Sequence, residues 1–434
     1  MVYYINAIIY IIYKCERSVS VSKKLIFALI AFFILLSIFI GIVLRSEYKN
    51  MEEVKKEYPD LSEEVYSYRK TNLKIWVIGT FFKFLIPLLF LTTKLSARIR
   101  NFARGKTGNF FLTVAVYVFI FTIIDLLISL PLSYYSGFVV SHRFGLSNQT
   151  ISRWVELIFK NLALNLIISI AVTWFPFYIM FKSPKRWWLY LGLLSFPVIL
   201  FITFISPMYI DPLFHEYTSI EDKELERDIR ELLTKAGVGD AEVYQVNMSQ
   251  DTKLMNAYMT GVFKSKRIVL WDTTIDNLDN GEVLSITAHE IGHYVKGHIW
   301  KGIILGGFLT ILLLFLINKT TLWILKNSEG QFGLTKIHDI AALPLLILVL
   351  NFYMFLSSPI INGYSRHIEW EADKFELELA RDREAAASSM LKLHEESLSL
   401  PRPSNIYKIW YHSHPTCEER VNFALTYEYE NKLP

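Results

Sequence analysis

Cysteine is almost absent: the 434 residues hold only Cys15 and Cys417, neither in a metal-cysteine spacing. That excludes a disulfide framework and a cysteine-ligated zinc module. Charge of one sign is also missing. The formal net charge is +4 and no long basic tract occurs, so nucleic acid is excluded as a partner. There is no internal repeat and no low-complexity linker, and the final ENKLP carries no lipidation signal. A chain lacking all of these must draw its stability from apolar burial.

Apolar residues are what it has. It is 52% hydrophobic and 15% aromatic, richer than a soluble domain of this length. Seven apolar runs are long enough to cross a bilayer as helices: Leu25–Leu44, Ile75–Leu91, Phe110–Leu132, Leu162–Phe181, Trp187–Pro207, Ile303–Leu325 and Ile340–Ile360. Flanking sets such as Lys185-Arg186-Trp187-Trp188 suit the interface. Met1–Tyr13 is too short to span and lacks a convincing cleavage site, so it reads as an interfacial segment or a doubtful start rather than a signal peptide. Two spans carry a mid-membrane charge, Lys83 and Asp125. Each must face protein or water, either as an ion pair within the bundle or as the lining of a cavity. Lys and Arg are spread over both sets of loops, so the positive-inside rule does not orient the chain.

The fold class is therefore mainly α: a multi-pass membrane protein with a small α+β domain at the membrane boundary. Residues 1–208 form a membrane region with five spans, and 209–300 a first catalytic segment. Residues 301–361 hold spans six and seven, and 362–434 a second catalytic segment that opens with a helix of its own. In the first segment, the turn DPLF leads to an amphipathic helix, Glu221–Ala236. GDAEVYQVNM and KSKRIVLWDTTI, rich in β-branched and aromatic residues, predict a small sheet. A helix follows from about Asp279, with Asp279 or Asn280 as its cap.

That helix carries TAHEIGHYVKGH, Thr287–His298. His289 and His293 are four apart, so their rings leave one face a turn apart, as two corners of a tetrahedral zinc site require. Glu290 stands beside them to deprotonate water. A third ligand is needed. The longer pattern H-E-x-x-H-x-x-G-x-x-H fails, because Lys296 and Ile299 occupy its Gly and third-His positions. His298, five residues past His293, points off the ligand face. A carboxylate from a second helix is the usual alternative, and Glu369 in SRHIEWEAD is the best candidate. Asp373 shares its helical face, placed to bond a ligating histidine. The bland reading of this second stretch is a solvated acidic face, since Glu371, Glu376 and Glu378 crowd it.

Taken together these blocks resemble the CAAX prenyl protease 1 family of membrane zinc metalloproteases. FGLSNQT (Phe144–Thr150), YIDPLFHEYTSIED (Tyr209–Asp222), NAYMTG (Asn256–Gly261), KRIVLWDTTI (Lys266–Ile275), HEIGHYVKGH, SRHIEWEAD and SHPTCEERV (Ser413–Val421) follow one another in the family's order. The resemblance implies one zinc ion per chain on His289, His293 and Glu369, with Glu290 as general base. It assigns Asp373 to the E-x-x-x-D pattern and His414 to steadying the oxyanion. It implies a substrate-binding strand at Asn256 and Ala257, and less defined basic positions at Arg366 and Arg420. His142, His215, His338, His367, His394 and His412 are read as surface or loop histidines. Implied partners are peptide or protein substrates, prenylated or plain, and membrane lipids; the implied site opens to the cytoplasmic side. A quality-control protease acting on unfolded membrane proteins is the alternative. A transporter or lipid-binding protein would explain the spans and mid-membrane charges, but not the paired motifs.

Overall fold

The structure is a computed structural model that describes residues 23–429; Met1–Tyr13 and Cys15 lie outside them. Besides a single helical turn at Ser141–Arg143, fourteen α-helices frame the described residues: α1 (Lys23–Glu57), α2 (Glu63–Thr92), α3 (Leu95–Lys106), α4 (Phe110–Ser133), α5 (Ile151–Lys182), α6 (Trp187–Ile205), α7 (Lys223–Lys235), α8 (Asp272–Asn277), α9 (Asn280–Val295), α10 (His298–Ser328), α11 (Leu343–Ala380), α12 (Arg383–Glu396), α13 (Asn405–Tyr411) and α14 (Cys417–Thr426). Seven of them, α1, α2, α4, α5, α6, α10 and α11, are long and apolar enough to cross a membrane; α1, α2, α4, α5 and α10 contain whole runs read from the sequence, and α6 and α11 do so together with the short turns that adjoin them, Ser206–Ile210 and Ile340–Ala342. α1, α2, α5, α10 and α11 extend well past their apolar runs. In a bilayer the backbone must stay hydrogen-bonded, and flanking polar residues extend the turns without cost.

The seventh span and the SRHIEWEAD helix are one continuous helix, α11, of 38 residues. Sequence reading divided them at 361/362, where apolar character ends. Hydropathy changes there, but hydrogen bonding does not: Pro359 and Gly363 sit inside α11 without ending it. Because of this, Glu369 is carried on a rigid extension of a membrane helix rather than on a separate element.

Lys83 and Asp125 line a common cavity of about 420 Å³ between α2, α4 and α11, with Ser129, Ser133, Ser136 and Asn351. Among the described residues no ion pair joins the two. The cavity-lining reading, not the ion pair, matches this arrangement.

Four strands form the sheet: β1 (Tyr217–Thr218), β2 (Glu242–Val246), β3 (Ala257–Thr260) and β4 (Arg267–Trp271), in the order β1-β2-β4-β3. β2 and β4 pair in parallel, and β3 lies antiparallel to β4 as an edge strand. GDAEVYQVNM and KSKRIVLWDTTI supply β2 and β4 as their composition predicts; the very short β1 gives no such signal. The predicted amphipathic helix is α7, whose Leu225, Ile229, Leu232 and Leu233 recur at helical spacing and are buried. They pack with Val243, Ile268 and Leu270 of the sheet and Ile286 and Ile291 of α9.

One carboxylate ties the membrane loops to this catalytic unit. Asp251 accepts bonds from Gln149 Nε2 (3.1 Å), Arg153 Nε (3.2 Å) and His215 Nε2 (2.9 Å). Arg153 Nη2 also donates to the Phe214 carbonyl at 2.7 Å. The blocks FGLSNQT and YIDPLFHEY thus meet at one half-buried anion, and His215 is part of that joint rather than a free surface histidine. Burial alone would raise Asp251, but Arg153, Gln149 and His215 outweigh it and hold the carboxyl below the usual range. Stability from this joint is therefore present above the unfolded-state value of about 3.9 and is lost as pH falls through the lower folded value. Asp251→Ala should cost about 1.5–3 kcal/mol at neutral pH. Thermal unfolding in detergent should show that deficit shrinking below about pH 4.

Candidate active site

α9 starts where its sequence says it should. Asp279 Oδ1 accepts from the Glu282 N–H, and Glu282 Oε2 accepts from the Asp279 N–H, both at 3.0 Å. This reciprocal cap satisfies two otherwise orphaned donors. Glu282 also takes Lys392 Nζ at 2.6 Å, locking α9 to α12.

α9 then lies against α11 at very short range. A Cβ on Gly292 would meet the Phe375 side chain at 3.1 Å and the Ala372 carbonyl at 3.3 Å, so only glycine lets these backbones approach so closely. The approach brings His289 Nε2 within 3.3 Å of Glu369 Oε2, and His293 Nε2 within 3.4 Å of Glu369 Oε1. The two histidine Nε2 atoms are 3.1 Å apart.

The same donor set passes a fit test for a metal. His289 Nδ1 lies 2.9 Å from Asp373 Oδ1; a carboxylate can only accept, so Nδ1 carries a proton and Nε2 is the ring atom left to ligate a metal. Glu369 Oε2 is buried without a hydrogen-bond partner among the described residues. Imidazole lone pairs and a buried carboxylate this close repel one another unless a proton or a metal cation joins them. Zinc with bonds of about 2.0–2.1 Å would have tetrahedral edges of about 3.3–3.4 Å, close to the separations observed. A second convergent group, His289, Asp373 and Glu376, lies behind. It fits worse, because its acceptors are taken: Ser285 Oγ donates to Glu376, and Arg420 forks Asp373 at 2.5 and 3.0 Å.

A cavity of about 490 Å³ opens over the cluster. Glu290 lines it beside both histidines. Burial lifts its carboxyl above the ordinary range, against the pull of His289 and His293. His414 stands at the open side, its Nε2 3.4 Å from Glu369 Oε1. Ser413 Oγ lies 2.9 Å from His414 Nδ1; a hydroxyl donating there leaves the ring proton on Nε2, toward the site. Asn256 and Ala257 form another wall. The Asn256 carbonyl accepts from Trp271 N at 3.0 Å, so the next residue, Ala257, directs its backbone groups to the free edge of the sheet. There its N–H is held by Asn256 Oδ1 at 2.9 Å.

Two basic residues do other work than the substrate contact expected of them. Arg366 is absent from the cavity wall; its Nη1 donates to the carbonyls of Lys408 (3.1 Å) and His412 (2.6 Å), capping the last turn of α13. Arg420 touches the cavity, but its guanidinium is spent on Asp373, planar fork to carboxylate. His394 and His412 are half-buried rather than free on the surface, and burial pushes each down to about 4. His298 is buried against His293, not turned away from it: their Nδ1 atoms are 2.9 Å apart. The sequence signal was Gly297. Its left-handed φ of +68° ends α9 and starts α10 afresh, so counting positions along one uninterrupted helix misplaced the ring. Arg420→Ala would leave Asp373 a buried carboxylate without its cation and should cost about 3–5 kcal/mol, read by denaturation of the detergent-solubilised protein.

Comparison with known proteins agrees with this geometry. Residues 219–428 match Peptidase family M48, and residues 52–216 match the CAAX prenyl protease N-terminal region of five membrane helices. The metalloprotease YhfN of Bacillus subtilis is 35% identical over 84% of this chain and 85% of its own. CAAX prenyl protease 1 of Saccharomyces cerevisiae is 27% identical over 89% and 92%. The crystal structure of S. mikatae Ste24p superposes with a TM-score of 0.79 at 26% identity, covering 92% of this chain and 98% of that one. Similarity of this extent spans both the membrane bundle and the catalytic segments, and the chain belongs to the CAAX prenyl protease 1 family, as an integral-membrane metallopeptidase.

Proposed function

We propose that the protein is a zinc-dependent endopeptidase that cuts extended peptides at the membrane boundary, with the C-terminal region of prenylated proteins as its substrate class. The observation that carries this reading is the convergence of two imidazole Nε2 atoms and the buried Glu369 carboxylate beside Glu290. His289, His293 and Glu369 would hold one zinc ion. When bound, zinc supplies Lewis acidity, lowering the pKa of water from about 15.7 toward 7 and polarising a carbonyl.

The chain's own residues would do the rest. Glu290 takes a proton from the attacking water and hands it to the leaving amine; its raised pKa suits both transfers. His414, protonated at Nε2, donates to the carbonyl oxygen as negative charge grows there. One such donor is worth about 3 kcal/mol. Asp373, steadied by Arg420, fixes the tautomer of His289. The free edge of β3 at Asn256 and Ala257 pairs with the peptide as an added strand, which sets register by backbone alone. Segments 209–300 and 362–434 act as one site, held in place by 301–361. By resemblance to its family the site faces the cytoplasm.

A second substrate class, unlipidated segments of unfolded membrane proteins, is favoured by that edge, which reads backbone rather than lipid. Metal analysis of the full chain should find one zinc per chain in wild type and none in His293→Ala; metal retained in His293→Ala would overturn the ligand set. Glu290→Ala should keep its zinc and lose about 10²–10⁴-fold in cleavage rate. Wild-type cleavage by that variant would end the general-base assignment. Cleavage of one peptide with and without a farnesyl group separates the substrate classes: a preference of tenfold or more for the farnesylated form supports prenylated substrates, and equal rates support the second class.

A further inference from the structure

His298 plays no part in the chemistry above, yet it is 4% exposed and bonded through both ring nitrogens. Its Nδ1 faces His293 Nδ1 at 2.9 Å, and its Nε2 faces Glu371 Oε2 at 2.9 Å. Lys301, one turn further along α10, donates to the same Glu371 oxygen at 3.1 Å. The contacts form a line from a ligand position to the protein surface, where the side chains of Glu371 and Lys301 are 36% and 48% exposed.

The protons along this line can be counted. A neutral imidazole at position 298 carries one ring proton. Glu371 accepts only, which places that proton on Nε2. Nδ1 of His298 is then bare, and the bond to His293 must use a proton on His293 Nδ1. His293 Nε2 is left bare, directed at His289 Nε2 and Glu369. No other neutral arrangement satisfies both bonds.

We propose that His298 is a positioning residue: through the line His293–His298–Glu371–Lys301 it holds His293 in the tautomer and ring orientation that present Nε2 to the metal. This rests on the reading of His293 as a ligand. The two ligand histidines are thereby supported by different chemistry. His289 leans on a carboxylate clamped by arginine, whereas His293 leans on a second imidazole whose far nitrogen is polarised by a carboxylate. The turn at Gly297 makes this possible, because restarting the helix brings His298 back over His293 while setting Lys301 beside Glu371.

Zinc affinity of the full-length protein in detergent, measured by competition with a chelator, tests the proposal without reference to cleavage. His298→Leu removes the acceptor and should weaken zinc binding by about 10–100-fold. His298→Asn, whose Oδ1 takes the place of Nδ1 and accepts from His293 but which stops short of Glu371, should recover affinity to about 3–10-fold below wild type. Glu371→Ala, at a half-exposed position that folding tolerates, should weaken binding by about 3–10-fold, and decides the matter if His298→Leu does not fold. Unchanged affinity in either His298→Leu or Glu371→Ala, with His293→Ala losing zinc, would overturn the positioning role and leave the ligand set standing. Equal weakening by His298→Leu and His298→Asn would also overturn it, since packing alone would then explain the loss. Zinc retained in His293→Ala would instead remove the reading beneath it.

Discussion

Everything at the site depends on how closely α9 and α11 can lie together. Two histidines on one helical face offer two donors and no more; the third must come from outside, and its reach is only a carboxylate's length. Gly292 removes the one side chain that would hold the helices apart, and Phe375 and the Ala372 carbonyl occupy the space. Glu369 then arrives between the two imidazoles because it rides on the rigid extension of a membrane helix.

Close packing alone would be ruinous, since it gathers acids in a buried place. Glu369, Asp373, Glu376 and Glu378 of α11 are all buried. Each needs a partner of opposite charge or a donor. Arg420 neutralises Asp373, Ser285 satisfies Glu376 and Tyr427 donates to Glu378 at 2.7 Å. Glu369 keeps a buried oxygen that no described donor reaches, and this is the residue aimed at the histidines. Electrostatics thus separates α11 into carboxylates with protein partners and one whose partner would be the metal.

The membrane bundle contributes position as well as anchorage. Spans α10 and α11 continue directly into the site elements, and the Asp251 joint fastens the loops of α4 and α5 to the catalytic sheet. A polar cavity carrying Lys83 and Asp125 sits among α2, α4 and α11, so the bundle is not a uniform apolar plug. A peptidase built this way holds its catalytic geometry by helices that lipid already confines.

How much of this was readable beforehand follows from the range of each interaction. The seven spans, α7, β2, β4 and the Asp279 cap were legible because hydropathy period and capping are local, written within a turn or two of the chain. The pair His289 and His293 was legible for the same reason, and Glu369 was reached by matching motifs across 75 intervening positions (294–368). The unbroken α11 was not legible, because solvent polarity changes at residue 361 while the hydrogen-bond ladder does not. The assignments of Arg366, Arg420 and His298 were decided only by tertiary structure. A guanidinium or an imidazole has the same local signature whether it meets a substrate, a helix end or a neighbouring ligand. Sequence by itself determined which groups could do metal chemistry and that they lie at a membrane; the packing of α9, α10 and α11 decided which of them meet, since charge pairs and proton positions are set by distances of about 3 Å between residues far apart in the chain.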